Sequence, residues 1–184
     1  VVNHLMNPDE FFTPMPLPSI AANDPAFRNI PGNNWSGQPQ GLTYQRSIRA
    51  LENYGHYAEL TMLGETFLEV LADSMKFTHQ KTINNSRDGY GPSILTTLEF
   101  ISRLHGIHIT RDRIYWSSID NKHSYDYSQI WNNTEFRIHT QEDGSVTCFI
   151  NGRQIASFSS GIRLVTDKEG NVIEVTGIIN QEKE

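Results

Sequence analysis

The stretch SVTCFINGRQIASF, residues 145–158, carries the strongest structural signal in the chain. Two runs rich in β-branched and aromatic residues flank Asn151-Gly152, a dipeptide that accepts the positive φ angles required at both central positions of a type I′ turn. The stretch therefore predicts a β-hairpin with a two-residue turn. That turn pairs Cys148 with Ile155 and places Cys148 on a buried face of the sheet.

Further strands are predicted on both sides of this hairpin. Before it, Phe136 and Ile138 alternate with polar and charged residues, which is the period of a strand with one buried face. After it, residues 162–166 and 171–179 form a second hairpin around the turn at 167–170. The C-terminal half is therefore predicted to be a curved antiparallel meander.

Helices are predicted ahead of the strands. Apolar residues at helical spacing indicate helices at 42–54 and 57–77, and the phase of the apolar stripe changes at Gly55 between them. The two stripes are Tyr44, Ile48 and Leu51 in the first helix and Leu60, Leu63, Phe67, Leu71 and Met75 in the second. Pro92 is predicted to open a third helix. The apolar stripe of that helix contains Ile94, Leu95, Leu98, Ile101 and Leu104.

This order of elements predicts the α+β class, with three helices packed on the curved sheet. In order alone, three helices followed by antiparallel strands resemble the cone-shaped fold of nuclear-transport-factor-2-like proteins. That resemblance implies a cone-shaped sheet. It does not imply one function, because the same fold carries enzymes and binding modules alike.

The first 40 residues differ from the rest in composition. Seven of the eight prolines lie there, so we expect neither a regular helix nor a central strand in residues 1–40. Apolar anchors nevertheless recur along this segment: Phe11, Phe12, Met15, Leu17, Ile20, Phe27 and Trp35. We therefore predict an extended arm that docks on the single domain formed by residues 41–184, or on a second copy in an oligomer.

Composition excludes several classes of partner. The formal net charge is −6, which disfavours nucleic acid because an acidic surface gains nothing from counterion release. No apolar run is long enough for a membrane span, and no residue pattern predicts a cofactor. The chain begins Val-Val rather than with methionine, so we expect a processed product or a domain of a longer protein.

The segment HGIHITRD, residues 105–112, offers two histidines and one aspartate. These are ligand types for zinc or non-haem iron. His105 and Gly106, however, are typical of a helix end, where glycine accepts the left-handed conformation and histidine complements the negative end of the helix dipole. We predict that the third helix ends here and that the segment binds no metal.

The remainder of this segment contains the candidate catalytic residues. We predict that His108 and Asp112 form an acid–base pair and that Arg111 stabilises developing negative charge. Such a set is expected in a small hydrolase- or isomerase-like enzyme with its site between helices and sheet. The alternative is that Arg111, Asp112 and Arg113 are a solvated, mutually neutralising group in a turn.

Residues 117–133, SSIDNKHSYDYSQIWNN, interleave aromatic and polar side chains. Aromatic rings beside carboxylate and amide groups are typical of surfaces that bind protein, peptide or sugar. The candidate ligand-binding residues are His123, Tyr125, Asp126, Tyr127 and Trp131. The alternative is a long hairpin whose aromatic residues cover the sheet edge.

The leading functional prediction is a binding or assembly module that recognises a protein, peptide or sugar through this aromatic segment and the N-terminal arm. The enzyme with the His108 site is the second prediction. An effector or toxin domain of a longer protein is the third.

Overall fold

The computed structural model describes residues 1–28, 37–74, 91–119 and 123–179. The chain divides into two compact units, Val1–Phe100 and Ile101–Glu184. The α+β class is confirmed, since the described residues form four helices and two antiparallel four-stranded sheets. The predicted arm at 1–40 lies within the first unit, and its separation from a single domain at 41–184 stays a prediction.

The helices are α1 (Val2–Leu5), α2 (Gly41–Asn53), α3 (Tyr57–Ser74) and α4 (Gly91–Leu104). The last three begin within one residue of their predicted starts, and Gly55, with a φ of 75°, separates α2 from α3 as expected. Helix α1 corrects the prediction that residues 1–40 contain no regular helix. Its four residues precede the first proline, so no proline ring restricts their backbone. Residues 75–77 of the predicted second helix and Trp35 lie outside the described residues.

The core of the first unit is an aromatic cluster between helices. Tyr44 of α2 meets Phe67 of α3 edge to face, with 4.7 Å between ring centroids, and Phe67 lies 5.3 Å from Phe100 of α4. The predicted apolar stripes of α2 and α3 are buried, which confirms their helical phase. Their buried members are Tyr44, Ile48, Leu51, Leu60, Leu63, Phe67 and Leu71.

Helix α4 does not bury its predicted stripe. Ile94, Leu95, Leu98 and Ile101 are 36–56% exposed, and of the five predicted residues only Leu104 is buried. The buried side instead carries Thr96, Phe100, Arg103 and Leu104. Thr96 and Phe100 lie one helical turn apart, and the Thr96 hydroxyl donates a hydrogen bond to the carbonyl of Gly41 at 3.1 Å. A hydrogen-bonding threonine and a phenylalanine therefore set the buried face of this helix.

The second unit contains eight strands. They are β1 (Ile107–Ile109), β2 (Ile114–Ser118), β3 (Tyr125–Trp131), β4 (Thr134–Thr140), β5 (Ser145–Ile150), β6 (Arg153–Ser159), β7 (Ile162–Thr166) and β8 (Val172–Gly177). One sheet has the order β1-β2-β7-β8 and the other the order β3-β4-β5-β6, with antiparallel pairing throughout. The predicted meander is thus complete only in the second sheet, because β7 pairs with β2 and not with β6.

The inner faces of these two sheets share one hydrophobic core. The first sheet contributes Ile107, Ile114, Trp116 and Leu164, and the second contributes Phe136, Ile138, Val146, Cys148 and Ile150. Trp116 lies 6.1 Å from Phe136 between ring centroids. The Trp116 indole nitrogen donates a hydrogen bond to the Thr166 hydroxyl at 3.0 Å. Period-two alternation along the strands explains this core, since every second residue faces the opposite sheet.

The central hairpin is confirmed in turn type and corrected in register. Asn151 and Gly152 have φ angles of 48° and 75°, as the type I′ turn requires. A bulge between Cys148 and Phe149 shifts the pairing, so that Cys148 lies opposite Ala156 and not opposite Ile155. Cys148 is fully buried, as predicted.

The end of α4 is also confirmed in position and corrected in conformation. The helix ends at Leu104, but Gly106 does not adopt a positive φ. A side chain on Gly106 would lie 3.4 Å from the carbonyl oxygen of Ile101 and 3.5 Å from the Tyr127 ring. These distances are close to ordinary van der Waals contact, so packing does not by itself require a glycine here. Burial lowers the pKa of His105 and favours the neutral imidazole, which weakens the predicted interaction with the helix dipole.

Candidate binding surface at the turn end of the second unit

Four tight turns lie at one end of the second unit. Antiparallel pairing of Ile114 with both Ile109 and Thr166 places the β1–β2 and β7–β8 turns side by side at one end of the first sheet. In the second sheet, pairing of Phe136 with Ile150 does the same for the β3–β4 and β5–β6 turns. We call this surface the turn end. Its turns are residues 110–113, 132–133, 151–152 and 167–171.

Contacts between turns join the two sheets at this end. The Lys168 ammonium nitrogen lies 3.7 Å from the centroid of the Trp131 ring, which connects the β7–β8 turn with the end of β3. The Arg153 guanidinium donates a hydrogen bond to the carbonyl of Glu169 at 2.9 Å, which connects the β5–β6 turn with the same β7–β8 turn. The turn end is therefore one connected surface.

Asparagines shape two of these turns. Asn132 and Asn133 have φ angles of 48° and 59°, a left-handed conformation that asparagine tolerates better than most residues. In the neighbouring turn, the Asn151 side-chain oxygen accepts a hydrogen bond from the backbone N–H of Glu135 at 2.9 Å. Local backbone preference thus fixes both turns, and a hydrogen bond to β4 holds the second one.

A carboxylate organises the β7–β8 turn. Asp167 accepts hydrogen bonds from the Asn171 side-chain nitrogen at 2.7 Å and from the backbone N–H groups of Asn171 and Glu169 at 2.8 and 3.0 Å. These bonds, led by the Asn171 side chain, lower the pKa of Asp167 and keep it ionised. The charged carboxylate holds the turn that presents Lys168.

Strand β3 separates the five candidate ligand-binding residues. Tyr127 packs against the shared core, and the Tyr125 ring lies 6.3 Å from His105 in an edge-to-face contact. Asp126 lies on the opposite, outer face, and His123 is exposed ahead of the strand. Strand β3 pairs with β4 in a hairpin, and the alternative that the aromatic residues of this segment cover the sheet edge also stays a prediction. The ligand-binding roles of these residues stay predictions.

Trp131 is the predicted aromatic residue that the structure brings to the turn end. It is the last residue of β3 and is 38% exposed, and its neighbour Ile130 is 76% exposed. Successive strand residues point to opposite faces, so Trp131 lies on the face of Tyr127 and Ile130 lies on the outer face with Asp126. Trp131 and the Lys168 ammonium over its ring therefore form the centre of this end.

The outer face of the second sheet carries a polar network that the sequence analysis did not predict. The Asp126 carboxylate lies 3.1 Å from Nδ1 of His139 and 3.6 Å from a terminal nitrogen of Arg137. The Arg137 guanidinium is 4.3 Å from the centroid of the Phe149 ring. A two-residue turn at Asn132-Asn133 would have predicted the pairing of Asp126 with His139, because turn length fixes strand register.

The candidate catalytic residues fall in different local environments. His108 lies in β1 opposite Tyr115, with 5.8 Å between ring centroids, and its Nε2 is 3.5 Å from the Arg103 guanidinium. Arg111 and Asp112 are exposed in the β1–β2 turn. The turn therefore carries Arg111 and Asp112 to the turn end and leaves His108 in the strand. Their catalytic roles stay predictions.

The described residues contain neither a metal-ligand cluster nor a membrane-spanning helix. In these parts of the chain, no three His, Cys, Asp or Glu side chains are grouped closely enough to hold a metal ion. None of the helices there has the length and apolar character for crossing a bilayer. Comparison of the chain with known protein families, curated proteins and solved structures gave no match.

Proposed function

We propose that this chain is a binding module that recognises a protein or peptide through the turn end. The single observation that carries the proposal is Trp131, which is 38% exposed and lies against Lys168 on a surface of short, mutually fixed turns. Binding residues are concentrated on loops that a rigid scaffold positions. Tryptophan is also one of the residues enriched at the energetic centres of protein interfaces, where surrounding contacts exclude water.

The surroundings of Trp131 favour a protein or peptide over a sugar. A sugar stacks on an open aromatic face, whereas Lys168 lies over the ring at 3.7 Å from its centroid. Ile130, 76% exposed on the adjoining outer face of β3, offers a further aliphatic contact that suits an apolar side chain of a partner. Charged residues of both signs lie at this end, as in the polar rim of an interface: Lys168 lies over the Trp131 ring, Glu135 is paired with Ile130, and Arg153 is bonded to Glu169.

The test uses peptides that are selected from a random displayed library for binding to the full chain. Their affinity is measured by fluorescence anisotropy for the wild type and for the double variant Ile130→Ser with Trp131→Ala. We expect affinity to fall by about 30-fold or more, since loss of an interface centre costs about 2 kcal/mol. Tyr127 is left unchanged because it packs on the core.

The matched control is Tyr54→Ala, which removes an 82% exposed aromatic side chain from the first unit. We expect this variant to bind the selected peptides as the wild type does. Unimpaired binding by the Ile130/Trp131 double variant, with an unchanged thermal midpoint, would refute the proposal. Failure of the library to enrich any peptide, together with Trp131-dependent binding on a glycan array, would replace it with sugar recognition.

A further inference from the structure

Strand β8 is the outer strand of its sheet, and its far side presents backbone groups to a further strand. In the described parts of the chain, β8 pairs with β7 alone. Directly after β8, the Ile178 N–H donates toward β7, to the carbonyl of Gly161 at 2.9 Å. Because backbone groups alternate in direction along an antiparallel strand, those of Val175 and Gly177 point away from β7. Such an edge is a template for pairing with another chain.

The inner face of β8 carries aliphatic side chains that remain exposed. Val175 lies opposite Leu164, and Val172 lies opposite Thr166, which in turn pairs with the core residue Ile114. Both valines therefore share the face of the sheet that holds the core. Leu164 is buried, whereas Val172 and Val175 are 54% and 58% exposed. The core face of the first sheet thus continues onto an edge strand that an added strand would help to bury.

The edge strand of the second sheet, β6, lies beside β8 on the same side of the second unit. At the start of β6, the Arg153 guanidinium donates to the carbonyl of Glu169 in the β7–β8 turn at 2.9 Å. At Gly170 of that turn, a side chain would lie 2.8 Å from Cγ2 of Ile155 in β6. Ile155 and Phe158 of β6 are partly buried against the core. The two sheets therefore end together, with apolar side chains on both edges.

The opposite side of the unit differs, because its edge strands are bridged. The outer strands there are β1 and β3. The Gln129 side-chain amide of β3 donates a hydrogen bond to the carbonyl of Ile107 in β1 at 2.8 Å. Ile107 itself is buried. Of the two sides, the β8 side is therefore the one that exposes aliphatic groups of the core face along a strand edge.

The charge of β8 favours a basic partner segment. Glu174 is the one charged residue of the strand, and it is exposed on the outer face, opposite Val165. The Thr176 hydroxyl donates to the Glu174 carboxylate at 2.9 Å, which holds the negative charge at the edge. Residues opposite each other in a ladder share a face, so a lysine or arginine of an added strand would lie beside Glu174.

A second copy of this chain suits the edge less well than a partner segment. Each copy carries a net charge of −6, so two copies repel each other. A half-exposed aliphatic side chain offers on the order of 100 Å², whereas each partner in a stable dimer buries about 800 Å². An added peptide strand gains affinity from main-chain hydrogen bonds and needs less area. The exposed aliphatic residues at this edge are Val172, Ile173, Val175 and Ile179.

We propose that β8 binds an extended segment of a partner protein as an added strand. The aliphatic residues of that segment lie on the inner face beside Val175, and a basic residue lies on the outer face beside Glu174. Regular pairing runs along residues 174–177, because Ile173 is the extra residue of a bulge between β7 and β8. The proposal does not rest on the function proposed for the turn end.

The probe for the test is a dye-labelled, seven-residue peptide in which valine alternates with lysine. Its binding to the full chain is measured by fluorescence anisotropy. Gly177→Pro removes an outward backbone N–H, and an edge strand tolerates proline at such a position. We expect about fivefold weaker binding, the effect of one lost hydrogen bond. The matched control is Gly177→Ala, which keeps the N–H and adds a methyl group in open space. It should bind the peptide as the wild type does.

Glu174→Lys tests the charge at the edge. We expect it to weaken binding of the lysine peptide by about fivefold. The same variant should strengthen binding of a second peptide, in which glutamate replaces each lysine. The matched control is Glu142→Lys, which changes the net charge equally from the exposed β4–β5 turn. A control that shifts both affinities as much as Glu174→Lys does would overturn the assigned contact.

Hydrogen exchange tests the added strand in the wild type and therefore holds even if a substitution prevents folding. When the lysine peptide saturates the chain, the N–H groups of Val175 and Gly177 should exchange about tenfold more slowly, because they gain acceptors. Unchanged exchange would overturn the proposal, as would equal affinity of Gly177→Pro and Gly177→Ala, or no binding at about 1 mM peptide. A dimeric wild type with a monomeric Gly177→Pro variant, measured by sedimentation equilibrium, would replace the partner segment by a second copy.

Discussion

The hydrogen bond between Trp116 and Thr166 gives a stringent test of the core of the second unit. Both residues are fully buried, and the indole nitrogen lies 3.0 Å from the Thr166 hydroxyl. Thr166→Val keeps the shape of the side chain but removes the acceptor, which leaves a buried N–H without a partner. That loss costs about 1–3 kcal/mol. The added methyl group offsets under ~1 kcal/mol of it, so we expect a net loss of about 1–2 kcal/mol.

The decisive measurement is a double-mutant cycle with Trp116→Phe. Phenylalanine has no N–H group, so Thr166→Val in that background leaves no donor unpaired and should cost little or even stabilise. Urea unfolding, followed by near-ultraviolet circular dichroism, gives the four free energies of unfolding. We expect a coupling of ~1 kcal/mol or more. Additive effects, within ~0.5 kcal/mol, would refute the reasoning, because independent sites behave in that way.

Two further predictions follow from the pKa shifts. Burial raises the pKa of the Cys148 thiol and shields it from reagents. A chromogenic disulfide reagent should therefore label Cys148 in the native chain only as fast as the second unit opens. Labelling of the native chain as fast as of the urea-unfolded chain would contradict this. The pKa of Asp167 is lower in the folded chain than its ordinary value of 3.8, so its carboxylate stabilises the fold above that value and loses this effect as pH falls through the depressed pKa. Thermal melts between about pH 2 and 6 should therefore show that the difference in midpoint between the wild type and Asp167→Asn shrinks as the pH falls. A difference that stays constant would show that the Asp167 carboxylate does not stabilise the turn through its charge.

Short sequence patterns correctly predicted the turn and the helices whose conformation depends on neighbouring residues. Asn151-Gly152 predicted its turn because few other dipeptides accept two positive φ angles. The stripes that contain Tyr44 and Phe67 predicted buried helix faces because apolar spacing there has a single phase. The predicted buried face of α4 was wrong because Thr96 is buried through its hydrogen bond to Gly41. A pattern of apolar residues cannot indicate such a bond.

Short sequence patterns could not predict which strands pair when the strands are far apart in the chain. The association of β7 with β2, and the shift of Cys148 to face Ala156, depend on how sheets assemble and on a bulge without a sequence signature. For the same reason, Trp131 could be chosen from the sequence as a candidate for binding, but Lys168 above its ring could not. The two residues meet only because two hairpins from different sheets turn at one end.

The tight closure of the turn end has a thermodynamic consequence for any partner. Two of its turns have only two residues, and Asp167, Asn151 and Lys168 tie the turns to their neighbours. Ordering a flexible residue costs about 1–2 kcal/mol, and little chain remains here to be ordered. Association at this end should therefore proceed with a small loss of backbone entropy, so that even a modest contact area can give measurable affinity.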